Sequence, residues 1–78
     1  MITLLPLKKV TEATRLSRAS LYSRIQAGLM PRPVKVGPKL SAWPEHEISR
    51  INEAITAGAA PDAIKALVAE LHDRRAAA

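Results

Sequence analysis

The sequence predicts a mainly α fold with one small β-hairpin, ordered helix, tight turn, helix, hairpin, helix, with a fourth helix at the C-terminal end. Three observations predict it. Prolines and glycines divide the 78 residues into short segments. Apolar residues recur at helical spacing in four of those segments. Between the second and third, Val34-Lys35-Val36 and Leu40-Ser41-Ala42 alternate apolar and polar around Gly37-Pro38-Lys39, the pattern of two short strands and a basic tip.

Pro6 suits a first helical position, where its missing N–H is no loss. Leu7, Val10 and Ala13 follow at helical spacing with Lys8, Lys9 and Glu12 outside, so the first helix is predicted over about 6–14. Arg15-Leu16 makes the turn. Ser17 is an N-cap for the second helix, Arg18 to Ala27, because its hydroxyl can accept from a first-turn N–H. Gly28 ends that helix as a C′ glycine. Pro31 and Pro33 stop further helix before the hairpin. Pro44 opens the third helix, about 44–57, with Ile48, Ile51 and Ile55 on its apolar face, and Gly58 closes it. Pro61 opens the fourth, with Asp62 in the first turn and Arg74 and Arg75 in the last, where each charge suits the helix dipole. Ile64, Leu67, Val68 and Leu71 form a full apolar stripe, and Ala76-Ala77-Ala78 is expected to fray. The expected division is a domain over 1–58 and a helical extension over 59–78.

A chain this short buries only about 60% of its unfolded surface, so the core must be small. The 47% hydrophobic content overstates that core, since 14 of those residues are alanine and Phe is absent. Cysteine is absent, which excludes disulfides and thiolate sites. His46 and His72 match no zinc spacing. No apolar run approaches the roughly 18 residues of a membrane span, and no secretory signal is visible at the start. A cytoplasmic protein without cofactor or membrane partner is expected.

The net charge is +5, but its distribution is uneven. Residues 1–43 carry eight basic residues against Glu12 alone, a net of +7, whereas residues 44–78 carry four basic and six acidic, a net of −2. A basic N-terminal half points to a polyanion, with nucleic acid first and an anionic membrane surface second.

The element order is that of a winged helix-turn-helix, in which the second helix lies in the major groove of DNA and presents its N-terminal residues to the bases. On a helical wheel Leu21 and Ile25 mark the buried side of that helix, Ala19, Ser20, Ser23 and Gln26 point away, and Tyr22 and Arg24 flank. Arg18 starts the helix within reach of a phosphate or a guanine. The front is small, polar and free of acid. In the hairpin Lys35 and Lys39 flank the tip and Arg32 precedes it, a composition that can enter the minor groove or follow the backbone. The expected DNA contacts are Ser17, Arg18, Ala19, Ser20, Tyr22, Ser23, Gln26, Arg32, Lys35 and Lys39. Trp43 is expected to anchor the wing to the third helix.

Leu16-Ser17-Arg18-Ala19-Ser20-Leu21-Tyr22, Ile25, Gly28, Pro31-Arg32-Pro33-Val34-Lys35-Val36-Gly37, Trp43 and Glu47-Ile48 resemble the AlpA family over about residues 4–55. These are small MerR-like winged-helix regulators of prophages and integrative elements, related to excisionases. The resemblance implies binding of double-stranded DNA by the second helix and the wing. It also implies a role in transcription of mobile-element genes, in directing a site-specific integrase toward excision, or in both, with the protein nucleoid-associated. Four positions depart from the pattern. Arg15 stands where a turn glycine is common, which either reshapes the turn or adds a phosphate contact. Ser23 and Ala42 stand where basic residues are frequent, and Ile51 replaces a common tryptophan and reads as core.

Other functions have less support. Glu45-His46-Glu47 and His72-Asp73 read as solvated helix surface, since neighbours one apart on a helix do not face one another. No phosphate loop or nucleophile signature is present, so no enzyme is expected. RNA readers need exposed stacking aromatics that this chain lacks. The alternative to DNA binding is a protein-interaction module that uses the fourth helix and the basic face to bind an acidic partner. The apolar stripe of the fourth helix either packs back on the domain or mediates self-association on DNA through Ile64, Leu67, Val68 and Leu71.

Overall fold

The computed structural model describes residues 1–77. Strand β1 (Leu4–Leu5) precedes helices α1 (Leu7–Thr14) and α2 (Arg18–Ala27). Strands β2 (Val34–Gly37) and β3 (Leu40–Pro44) follow, and then helices α3 (Glu45–Thr56) and α4 (Pro61–Ala77). This is a winged helix-turn-helix with a C-terminal helix.

The helix boundaries follow local chemistry. The Ser17 hydroxyl accepts from the Ser20 N–H at 3.1 Å and caps α2. Gly28 closes α2 in the left-handed region at φ 80°, which lets the Leu29 N–H reach the Arg24 carbonyl at 2.8 Å. Pro6 and Pro44 sit one residue earlier than expected, at the N-caps of α1 and α3 with extended backbones. Each position still suits proline, because neither Ncap nor N1 needs an intrahelical donor. Pro61 begins α4 as predicted. Helix α4 runs to Ala77, and Ala78, the end of the tail expected to fray, lies outside the described residues.

The sheet has three antiparallel strands in the order β1-β3-β2, one more than the sequence suggests. β1 pairs Leu4 with Pro44 and Leu5 with Trp43. Two residues are too short for any alternation to show, and they become a strand only because the β3 edge is there to pair with. The Glu45 N–H extends the ladder to the Thr3 carbonyl at 2.8 Å. Strand β3 runs on through Trp43 to Pro44, past the predicted Ala42. In the wing, Lys35 pairs with Ser41 and Gly37 with Leu40, which leaves Val36 as the extra residue of a β-bulge beside the tip.

One core joins all four helices and the sheet. Val10, Leu21, Met30, Trp43, Ile48, Ile51, Ile64, Val68 and Leu71 are buried together. Three of the four stripe residues of α4 are therefore enclosed within their own domain, and Leu67 packs partly buried against the same cluster. Of the two roles open to this stripe, packing back on the domain is the one observed, against α3 among others, and little of it is left for self-association. Ile55 also departs from expectation and is 45% exposed. Periodicity assigns it to the apolar face but does not say how far along the axis the core extends.

Candidate nucleic-acid interface

The ten residues expected to face DNA are all exposed. On α2 only Leu21 is fully buried, and Ile25 is half-buried beside it. Leu21 and Ile25 hold the helix to the body, and the opposite face, Ala19, Ser20, Ser23 and Gln26, stands in solvent. The Ser17 hydroxyl is already engaged, since it accepts from the Ser20 N–H and donates to Ser20 Oγ at 3.0 Å. The Ser20 hydroxyl proton remains available to point outward. The guanidinium of Arg18 lies 6.0 Å from the centre of the Tyr22 ring, one turn on. At that distance, the outer reach of a cation–π contact, the cation lies on the same exposed face as the Tyr22 ring.

The turn between α1 and α2 is made by Arg15 at φ 63° and ψ 21°, the left-handed region that favours glycine. Arg15 thus keeps the glycine-type turn rather than reshaping it, and its side chain is exposed on the basic half. Glu12, the one acid of that half, sits 3.7 Å from Lys9 on the surface of α1, so its charge is partly offset locally.

The wing reaches α2 through a buried link. Met30 and Pro31 are enclosed, and the Trp43 indole N–H donates to the Pro31 carbonyl at 3.0 Å. Trp43 is fully buried, as an anchor between wing and α3 must be. Arg32, the next residue, has its backbone held by α4. Its N–H donates to His72 Nε2 at 3.1 Å, and its carbonyl accepts from Arg75 Nη2 at 2.8 Å. The Arg75 Nε also donates to Glu47 Oε2 at 2.8 Å, and its Nη2 pairs with Glu47 Oε1.

The Glu47, His72 and Arg75 contacts correct the sequence reading. Glu47 is 1% exposed, not part of a solvated helix start. Arg75 is an ion-pair partner across the fold rather than only a helix-dipole charge. His72 is half-buried and accepts a hydrogen bond instead of facing water. A signal was present. Glu47 lies four residues before Ile51, and Arg75 four after Leu71, so each stands on an apolar stripe. An acid on one stripe and a base on another is a pairing signature. The pKa of His72 is lowered from the ordinary histidine value. Burial is the largest cause, followed by the positive charges of Arg32 and Arg75, and Glu47 and Asp73 partly oppose them. The neutral ring is the form that can accept the Arg32 N–H.

Among the described residues, no group of three or more His, Asp or Glu side chains is placed to hold a metal, and no helix is long and apolar enough to cross a membrane.

The family model described as "Prophage CP4-57 regulatory protein (AlpA)" matches residues 3–52. The chain belongs to the AlpA family. AlpA proteins are prophage regulators that bind DNA, and they form a regulator family rather than an enzyme family. The match spans the helix-turn-helix, the wing and most of α3, and it ends before α4. No curated protein and no solved structure matches the chain significantly.

Proposed function

We propose that this AlpA-family protein binds double-stranded DNA sequence-specifically, with α2 in the major groove and the wing against the adjacent minor groove or backbone. In this reading it acts in the cytoplasm, at the nucleoid, as excisionase, as transcriptional regulator of a mobile element, or as both. An excision role brings a site-specific integrase as partner. The MerR-like subclass belongs to the same proposal and is supported by the helix, turn, helix, hairpin, helix order.

The observation that carries the reading is the outer face of α2. It is exposed, free of acid, led by Arg18 over Tyr22, and linked through a buried segment to a wing bearing Lys35 and Lys39. A groove about 12 Å wide admits one such helix. Ser17, Arg18, Ala19, Ser20, Tyr22, Ser23 and Gln26 are assigned to α2 contacts, and Arg32, Lys35 and Lys39 to phosphate or minor-groove contacts. The alternative of an acidic protein partner uses α4 and the basic face; with the α4 stripe committed to the core, it keeps only the basic face.

Fluorescence anisotropy tests this, with a duplex from DNA flanking the coding sequence compared against a scrambled duplex. Affinity should fall with salt by roughly 0.9 in the log–log slope for each phosphate neutralised. Arg18→Ala should relax discrimination between the duplexes. Lys39→Ala should weaken both alike and reduce the slope by about 1. A salt-independent response, or no binding at low ionic strength, overturns the reading.

A further inference from the structure

The basic residue at the root of the wing is held by a helix that lies outside the family match. Arg32 stands between Pro31 and Pro33, two residues whose rings fix their own backbones. Three hydrogen bonds then grip this stretch from outside. Trp43 of β3 donates to the Pro31 carbonyl, and His72 and Arg75 of α4 engage the Arg32 N–H and carbonyl. Arg75 is itself fixed by two contacts to the carboxylate of Glu47, which is buried on α3. The Arg32 side chain, by contrast, is exposed.

We propose that the last turns of α4 form a latch that orients Arg32 and the wing for DNA phosphate, with His72 and Arg75 as positioning residues. This rests on the DNA-binding reading above and adds a helix that the AlpA match does not reach. A side chain whose backbone is gripped on both sides loses less freedom on binding than one on a mobile loop, so the latch preorganises the contact. Arg75 is permanently charged and donates at any pH. His72 must be neutral to accept the Arg32 N–H, so the His72 half of the latch releases on protonation while the Arg75 contact to the Arg32 carbonyl stays. The charged groups facing His72 are Arg32 of the link, Glu47 of α3, and Asp73 and Arg75 of α4. Two of these are cations beside the ring, which opposes placing a further positive charge there.

The sign of the effect separates the latch from general electrostatics. Added protons make the protein more positive, which by itself strengthens phosphate binding. The latch makes binding weaken instead.

Affinity is measured for a random-sequence duplex at low salt, from about pH 8 downward through the lowered titration of His72, over the span in which circular dichroism shows the protein folded. Wild type should lose about fivefold, the equivalent of one hydrogen bond. His72→Leu, which has no acceptor, should be weaker by about that factor already at the upper pH. His72→Gln restores an acceptor that does not titrate, so it should bind like wild type at high pH and show no loss on acidification. His46→Gln should leave the wild-type profile unchanged. Circular dichroism at each pH checks that every variant is folded. The amide resonance of Arg32 reads the latch without DNA: it should shift with pH in wild type and not in His72→Gln. Folded His72→Leu that binds as wild type, or wild-type affinity that holds or rises on acidification, overturns the latch and leaves DNA binding standing. No binding by wild type at either pH removes the DNA-binding reading and the latch's purpose with it, and the Arg32 resonance still reports the His72 contact.

Discussion

Arg75, in the last turn of α4, makes a two-point ion pair with Glu47, in the first turn of α3, across 28 residues of sequence. Glu47 is 2% exposed at its side chain and Arg75 24%, so among the described residues it is Arg75 that offsets the carboxylate's loss of water. Removing Arg75 strands a buried charge, which is the expensive way to break such a pair. Arg75→Ala should destabilise the fold by about 3 kcal/mol. Glu47→Gln keeps shape and one acceptor and should cost less, about 1–2 kcal/mol. Urea unfolding followed by the single buried tryptophan measures both. Equal, negligible shifts would mean that water solvates the pair.

The α4 stripe divides by burial. Leu71 is 2% exposed in the shared core, whereas Leu67 is only partly buried. Leu71→Ala should cost about 3 kcal/mol through lost contact and residual cavity, and Leu67→Ala clearly less. Because α4 shares one core with α1–α3, unfolding should be a single transition whether followed by tryptophan emission or by helical circular dichroism. Two separate transitions would show that α4 is an independent appendage.

Arg15 occupies a backbone conformation that costs a residue with a Cβ about 1–2 kcal/mol. Glycine removes that cost but gives back about 0.5–1 kcal/mol in unfolded-chain entropy. Arg15→Gly should therefore be slightly more stable than wild type, by about 0.5–1 kcal/mol in thermal or urea melts. The same variant reports on DNA. If Arg15 touches a phosphate, affinity falls and the salt slope drops by about 1 while stability rises.

His72 is held below its ordinary pKa of 6.5 by burial and by Arg32 and Arg75. The unfolded chain therefore binds the proton more readily than the folded one. Stability from this site is fully present above about pH 6.5 and is lost as the pH falls through the lowered folded value. Denaturation midpoints should decline over that window in wild type, and the decline should be smaller in His72→Gln. An unchanged slope in the variant would place the pH dependence elsewhere.

Much of the fold was legible from particular residues. Ser17 and Gly28 mark the ends of α2 because capping is a local event, settled by a side chain and its own first or last turn. Leu21, Ile48, Ile51 and Trp43 read as core because their spacing or size leaves little alternative. Strand β1 was not legible, since Leu4-Leu5 is a strand only by virtue of the β3 edge it pairs with. The outer face of α2 followed from Leu21 and Ile25. The grip on Arg32 did not, because its donors and acceptors come from α3, α4 and β3 together.

By itself the sequence determined the four helices and the wing apart from their terminal residues, the Ser17 and Gly28 ends of α2, and which side of α2 faces outward. Those are matters of turn chemistry and of angle around one axis, and neighbours along the chain decide them. Only the tertiary structure decided that the stripe of α4 is interior, that Ile55 is not, and that Glu47, His72 and Arg75 meet at the foot of the wing. A periodic pattern gives a direction about its own helix but neither the distance nor the level of the next one, so contacts between elements emerge only once the core has placed them.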